Sequence, residues 1–213
     1  MASRPDFNRA IRRLLWHVAK TMPEFAHLEP ARILVIAGEA RRASHATVKP
    51  LAFGKGIRTD ALGRTKPRVK VDGKRMLYCI TLRPLFFRSS SAHERIATVL
   101  HELFHISTAF DGTLDSSRRH ATMGKRFEAR FRPLERRLWK HLPAEVLAPF
   151  AHDGEVRVLQ WLERPSAWLP GEKASSRRIY TEAHLFIGVI RMKTRRAKAV
   201  RSPPTHEKSG ALH

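Results

Sequence analysis

Val99-Leu100-His101-Glu102-Leu103-Phe104-His105 is the stretch on which the reading of this chain turns. On a helix, His101 and His105 lie one turn apart and project from the same face. Two imidazoles at that spacing can hold one Zn²⁺, each at about 2.0–2.1 Å. Glu102 follows the first histidine, so its carboxylate faces the side where a bound water would sit and can take that water's proton. A pattern this short also occurs by chance, so its surroundings have to support it.

They do. Upstream, Ser91-Ala92-His93-Glu94 reads as a capping box, which starts a helix and predicts its course through roughly Ser107. Ile96, Val99, Leu100 and Leu103 form the apolar stripe that buries such a helix, with the histidines to one side. Ala97 and Thr98 are small and leave room beside a metal. Asp111-Gly112 turns the chain. Past a polar loop, a second helix is predicted from about Ala121, with Phe127 and Phe131 four apart and Pro133 kinking or restarting it.

A catalytic zinc takes a third protein ligand and keeps one position open. His120, at the end of the polar loop, is the first candidate, with Glu128 on the next helix as the alternative. Asp111 and Asp115 are further acidic candidates, although each suits a turn or a cap. Arg118 and Arg119 precede His120 and could steer an anionic substrate, contact nucleic acid, or stabilise an oxyanion.

Outward from the motif, Phe7 to Phe25 carries Ile11, Leu14, Leu15 and Val18 on one stripe, with Arg9, Arg12, Arg13 and Lys20 opposite, an amphipathic helix. Ile33 to Ala37, closed by Gly38, reads as a buried strand. Residues 39–67 read as a long basic loop, and over residues 41–75 eleven Lys or Arg face only Asp60 and Asp72. Val69 to Val71 before Asp72-Gly73 predicts a hairpin, and Arg75 to Phe87 the next strand, bent at Pro84. Pro143 starts a short helix. Val156 to Trp161 and His184 to Met192 are strand candidates, and Trp161 and Trp168 suit core packing or stacking on bases.

The 213 residues carry 41 Lys plus Arg against 19 Asp plus Glu, a net charge of +22, which draws polyanions. The lone Cys79 sits in an apolar run, excludes an intrachain disulfide and reads as a buried small hydrophobe. No opening segment reads as a signal peptide and no apolar run is long enough to span a membrane. A cytoplasmic, or nucleoid-associated, protein is expected.

At these motifs the chain resembles the phage-type metallopeptidases and, more distantly, the SprT-like proteases. The likeness covers roughly residues 5–142: the strand Ile33 to Ala37, the basic loop, the strand Leu77 to Leu82, then Val99 to His105 and His120 ahead of the Phe127 helix. It implies a minimal zincin and His120 as the third ligand. Where SprT-like proteins usually carry a glycine after that histidine, this chain has Ala121.

The combined expectation is an α+β fold: a small mixed or antiparallel sheet, an HExxH active-site helix, a following helix and a short β-containing C-terminal extension. Residues 1–142 would form the zincin-like metallopeptidase domain, 143–192 the extension packed on it, and 193–213 a basic disordered tail. The activity expected is hydrolysis of peptide bonds with one Zn²⁺ per chain, on a protein or peptide substrate that includes proteins attached to nucleic acid. Nucleic acid would bind through the basic loop and tail. The competing reading is a non-enzymatic nucleic-acid-binding protein with a structural or vestigial metal site.

Overall fold

The computed structural model describes residues 4–39, 44–54, 56–118, 120–124, 126–167, 169 and 179–195. The first helix, α1 (Phe7–Thr21), starts where the Asp6 carboxylate accepts the Arg9 amide. Its Phe7, Ile11, Leu14, Leu15 and Val18 are buried, as the stripe predicts. Each such side chain contributes about 1.5–3 kcal/mol on burial. A 3₁₀ turn (Pro23–Phe25) closes the segment read as the tail of this helix.

The main sheet is mixed and five-stranded. In spatial order it is β2 (Ala46–Pro50), β5 (Tyr78–Leu82), β1 (Ile33–Ala37), β6 (Gly154–Trp161) and β8 (Leu185–Met192). Strand β1 is parallel to β5 and β6, while β2 and β8 run antiparallel at the two edges. A strand buried on both faces reads as an unbroken apolar run, and every residue of β1 is buried. Ile33, Val35 and Ala37 face the main core with the helices. Leu34 and Ile36 face a second core, with Val69, Met76 and Tyr180. That second face is covered by a small sheet of β4 (Lys74–Arg75), β3 (Arg68–Val71) and β7 (Ile179–Tyr180). The β3–β4 hairpin turns at Asp72-Gly73, both with positive φ, as the sequence predicts.

Two readings are corrected here. The basic segment expected as one long loop holds β2, whose alternate residues Ala46 and Val48 are buried while Lys49 is exposed. The strand expected across Arg75 to Phe87 stops at Leu82, and Pro84 opens a short helix, α2 (Pro84–Arg88). Proline at the first helical position loses no hydrogen bond, so it starts this helix instead of bending a strand.

Strands β1 and β6 share a register contact only at Ala37 and Gln160. Where they diverge, Asn8 fills the gap: its amide Nδ2 donates to the Val35 carbonyl at 2.6 Å, and its Oδ1 accepts the Leu159 amide at 2.7 Å. One side chain thus replaces a missing stretch of ladder. Residues 193–195, placed by the sequence in a tail, are hydrogen-bonded: Lys193 N–H to the Phe87 carbonyl and Arg195 N–H to the Ser90 carbonyl. Among the described residues, no helix is long and apolar enough to cross a membrane.

Candidate active site

Helix α3 (Ala92–Phe104) is built as its sequence requires. The Ser91 hydroxyl accepts the Glu94 amide at 3.2 Å and the Glu94 carboxylate accepts the Ser91 amide at 2.7 Å. Ile96, Val99, Leu100 and Leu103 are fully buried against the sheet. The helix ends at Phe104, earlier than predicted, and His105 forms its C-cap. The chain then turns, the His105 carbonyl accepting the Asp115 amide at 2.9 Å.

Buried Arg95 anchors this helix from behind. Its guanidinium donates to the carbonyls of Phe86 and Phe87 (each 2.9 Å), Phe150 (2.6 Å) and Lys193 (3.0 Å), and to the Thr194 hydroxyl (2.8 Å). Burial pulls its pKa down to about 10, against the opposing pull of Asp153 and Glu94. The C-terminal segment is therefore wired to the helix that carries the histidines.

His101 and His105 bring their Nε2 atoms to 3.2 Å. Two nitrogens bound to one tetrahedral zinc stand about 3.3–3.4 Å apart, from bond lengths of 2.0–2.1 Å. The separation of the pair is therefore close to that of two imidazoles on one zinc. Helix α5 (Arg126–His141) supplies the wall beneath them. The Phe127 and Phe131 rings lie 4.8 and 5.4 Å from the His101 ring, and Phe127 lies 5.7 Å from that of His105.

Both histidines and Glu102 line a cleft of about 750 Å³, together with Ala97, Thr98 and the β2 residues Ala46 to Val48. The Glu102 carboxylate is buried, and its Oε2 accepts the outward-facing Val48 amide at 2.6 Å. Burial raises its pKa to about 7, opposed by the Val48 amide and by Arg83. A carboxyl held there gives and takes a proton near neutrality. The loop facing the cleft is pinned by Tyr78, whose hydroxyl accepts the Gly112 amide at 3.0 Å and donates to the Thr113 carbonyl at 2.9 Å. Gly112 has φ +88°, and a side chain there would meet Ala52.

The other candidates fall as follows. His120 opens the short helix α4 (His120–Met123), but its side chain lies outside the described residues, as do Arg119 and Trp168. Among the described residues no group of three or more His, Cys, Asp or Glu is gathered for a metal. Glu128 is exposed and ion-paired with Arg132 at 2.9 Å. Asp111 accepts from Thr113, and Asp115 from Ser117, as turn carboxylates do. Arg118 pairs with Asp115 at 3.1 Å, donates to the Phe104 carbonyl at 3.3 Å and lies over the Phe104 ring. That arrangement closes the end of α3. Trp161 packs against Tyr180 in the second core.

The Val48 amide was not readable as a partner of Glu102, because a backbone group 54 residues away leaves no mark in the motif. Phe131 had a signal, its spacing of four from Phe127 on a helical stripe.

Fold and site together define an α+β protein with two convergent histidines and a buried carboxylate on one cleft. The family model described as "Putative phage metallopeptidase" matches residues 5–143, and the chain belongs to that family. No curated protein and no solved structure matches it.

Proposed function

We propose that this protein is a zinc-dependent metallopeptidase with His101, His105 and His120 as the metal ligands and Glu102 as the proton carrier. The observation that carries the reading is the 3.2 Å approach of the two histidine nitrogens on the cleft that also holds the Glu102 carboxylate. When bound, zinc supplies Lewis acidity to a water and to a carbonyl oxygen. Glu102 takes a proton from the attacking water and returns it to the departing amine nitrogen. The Val48 amide fixes one Glu102 oxygen and leaves the other for this work.

A protein or peptide substrate follows from the family and suits the cleft. Strand β2 forms its rim and is an edge of the main sheet, beside which an extended chain can lie. The net charge of +22 favours substrates attached to polyanions.

The test is elemental analysis of chain purified without a metal-affinity tag, alongside a protease assay. About one zinc per chain is expected in the wild type, sharply less in His120→Ala. Glu102→Gln should keep the metal and lose hydrolysis. No zinc after reloading would sink the reading, and wild-type cleavage by Glu102→Gln would remove that residue from the chemistry.

A further inference from the structure

Along the outer side of α1, a groove of about 510 Å³ runs between this helix and the β6–β8 ribbon, lined by Arg9, Arg12, Arg13, Trp16, Arg157 and Ile187. A second hollow of about 270 Å³ shares Arg12, Trp16 and Leu159 with it and continues to Lys74 on the β3–β4 hairpin. The two form one track, and neither shares a lining residue with the histidine cleft.

Its chemistry is specific. Residues 9, 12, 13 and 16 are spaced to fall on one helical face, opposite the buried stripe of α1. Among the described residues, Arg9, Arg12, Arg13 and Arg157 form no ion pair. The acids on the track are Asp6, which caps α1, and Asp72 at the hairpin turn. Trp16 is 54% exposed in the middle of the track, so its ring face is open to a ligand. Beside it, Ile187 and Val189 of β8 are exposed, and Val189 stands in register with Arg157.

We propose that this track binds single-stranded nucleic acid, the arginines taking phosphates and Trp16 stacking on an unpaired base. A cationic groove alone would suit any polyanion. An exposed indole between the cations suits a strand whose bases are free, which a duplex does not offer. No residue lining the track belongs to the basic segment 39–67 or to the tail 193–213, and the proposal does not depend on the peptidase reading.

The experiment is fluorescence anisotropy with a labelled oligodeoxythymidine of about 20 nucleotides, long enough to exceed the span of one such groove. Trp16→Ala should weaken binding about 5- to 150-fold, the range for one lost stacked base, while Trp16→Phe keeps most of it. Arg12→Ala/Arg13→Ala should lower the slope of log affinity against log salt by about 1.4. The charge-matched control Arg130→Ala/Arg136→Ala, on exposed positions of α5, should change affinity less than about twofold, as for bases that touch no phosphate. All three side chains replaced at the track are on the exposed face of α1, and melting curves confirm the fold of each variant.

Three results overturn the proposal: no binding by the wild type at low salt; equal loss in the control with Trp16→Ala unaffected; or tighter binding of a polyglutamate peptide with the same sensitivity to the variants. The last would assign the track to an acidic protein.

Discussion

Arg95→Lys is the perturbation that tests the packing behind the histidine helix most sharply. The arginine has five N–H donors and all five are used, each on a neutral oxygen. Lysine has three, so at least two of these hydrogen bonds are lost. A hydrogen bond to a charged group contributes about 1.5–3 kcal/mol, which gives about 3–6 kcal/mol for the variant. For a chain of this size that is a fall in Tm of about 5–15 °C. Two of the five acceptors, the Lys193 carbonyl and the Thr194 hydroxyl, are lost in a chain ending at Met192. A chain ending at Arg195 keeps them. In the arginine background, the shorter chain leaves two donors unsatisfied. In the lysine background, three donors meet the three acceptors that remain. The two changes should therefore be sub-additive by at least about 1 kcal/mol in a double-mutant cycle read by urea unfolding. An Arg95→Lys chain within about 0.5 kcal/mol of wild type, or additive effects, would refute the reasoning.

Three further outcomes are expected. Asn8→Asp keeps the acceptor for the Leu159 amide but sets a carboxylate against the Val35 carbonyl, costing about 1–3 kcal/mol at pH 7. The introduced carboxyl must hold a proton to donate, so its folded pKa lies above the unfolded one. The deficit should shrink as pH falls toward about 4, and a pH-independent deficit in thermal melts would count against the bridge. The Cys79 thiol is buried, and burial pushes its pKa up to about 11. Iodoacetamide should label the native chain at least about 100-fold more slowly than the urea-unfolded chain, and equal rates would contradict this. The Asp111 carboxyl is held below its ordinary range, first by the Thr113 hydroxyl. Its contribution is present above the unfolded pKa of about 3.9 and lost as pH falls through the folded value. Asp111→Asn should flatten the loss of Tm between about pH 4 and 3, and an unchanged slope would remove Asp111 from the acid response.

Elements with local periodicity were legible in the sequence. The buried stripe of α1, the unbroken apolar run of β1 and the capping box of α3 each state their structure within a few residues. Strand β2 was hidden because an edge strand buries only alternate residues, and its Ala46 and Val48 are set among lysines and arginines. Its identity comes from pairing with β5, which lies 30 residues on and leaves no local trace. The same holds at the site. His101, Glu102 and His105 were named by spacing, whereas the Val48 amide that holds Glu102 comes from the fold. Arg95 did leave a signal, a charge four residues before Val99 on the face that Val99 and Leu103 bury. A cation in that position has to find acceptors, and it finds them on three other segments.

The anchoring of Arg95 also sets an order of events during synthesis. Arg95, on the helix that carries the histidines, is made 99 residues ahead of the threonine that completes its anchor. Strands β6 and β8, which finish the main sheet, emerge after the region that defines the family has been made. Of the Arg95 acceptors, only the Phe86 and Phe87 carbonyls are near neighbours of α3 in the chain. Every residue of the proposed metal site thus lies within the family region, while the anchor of its helix and the last strands of its sheet come from beyond it and contribute no ligand.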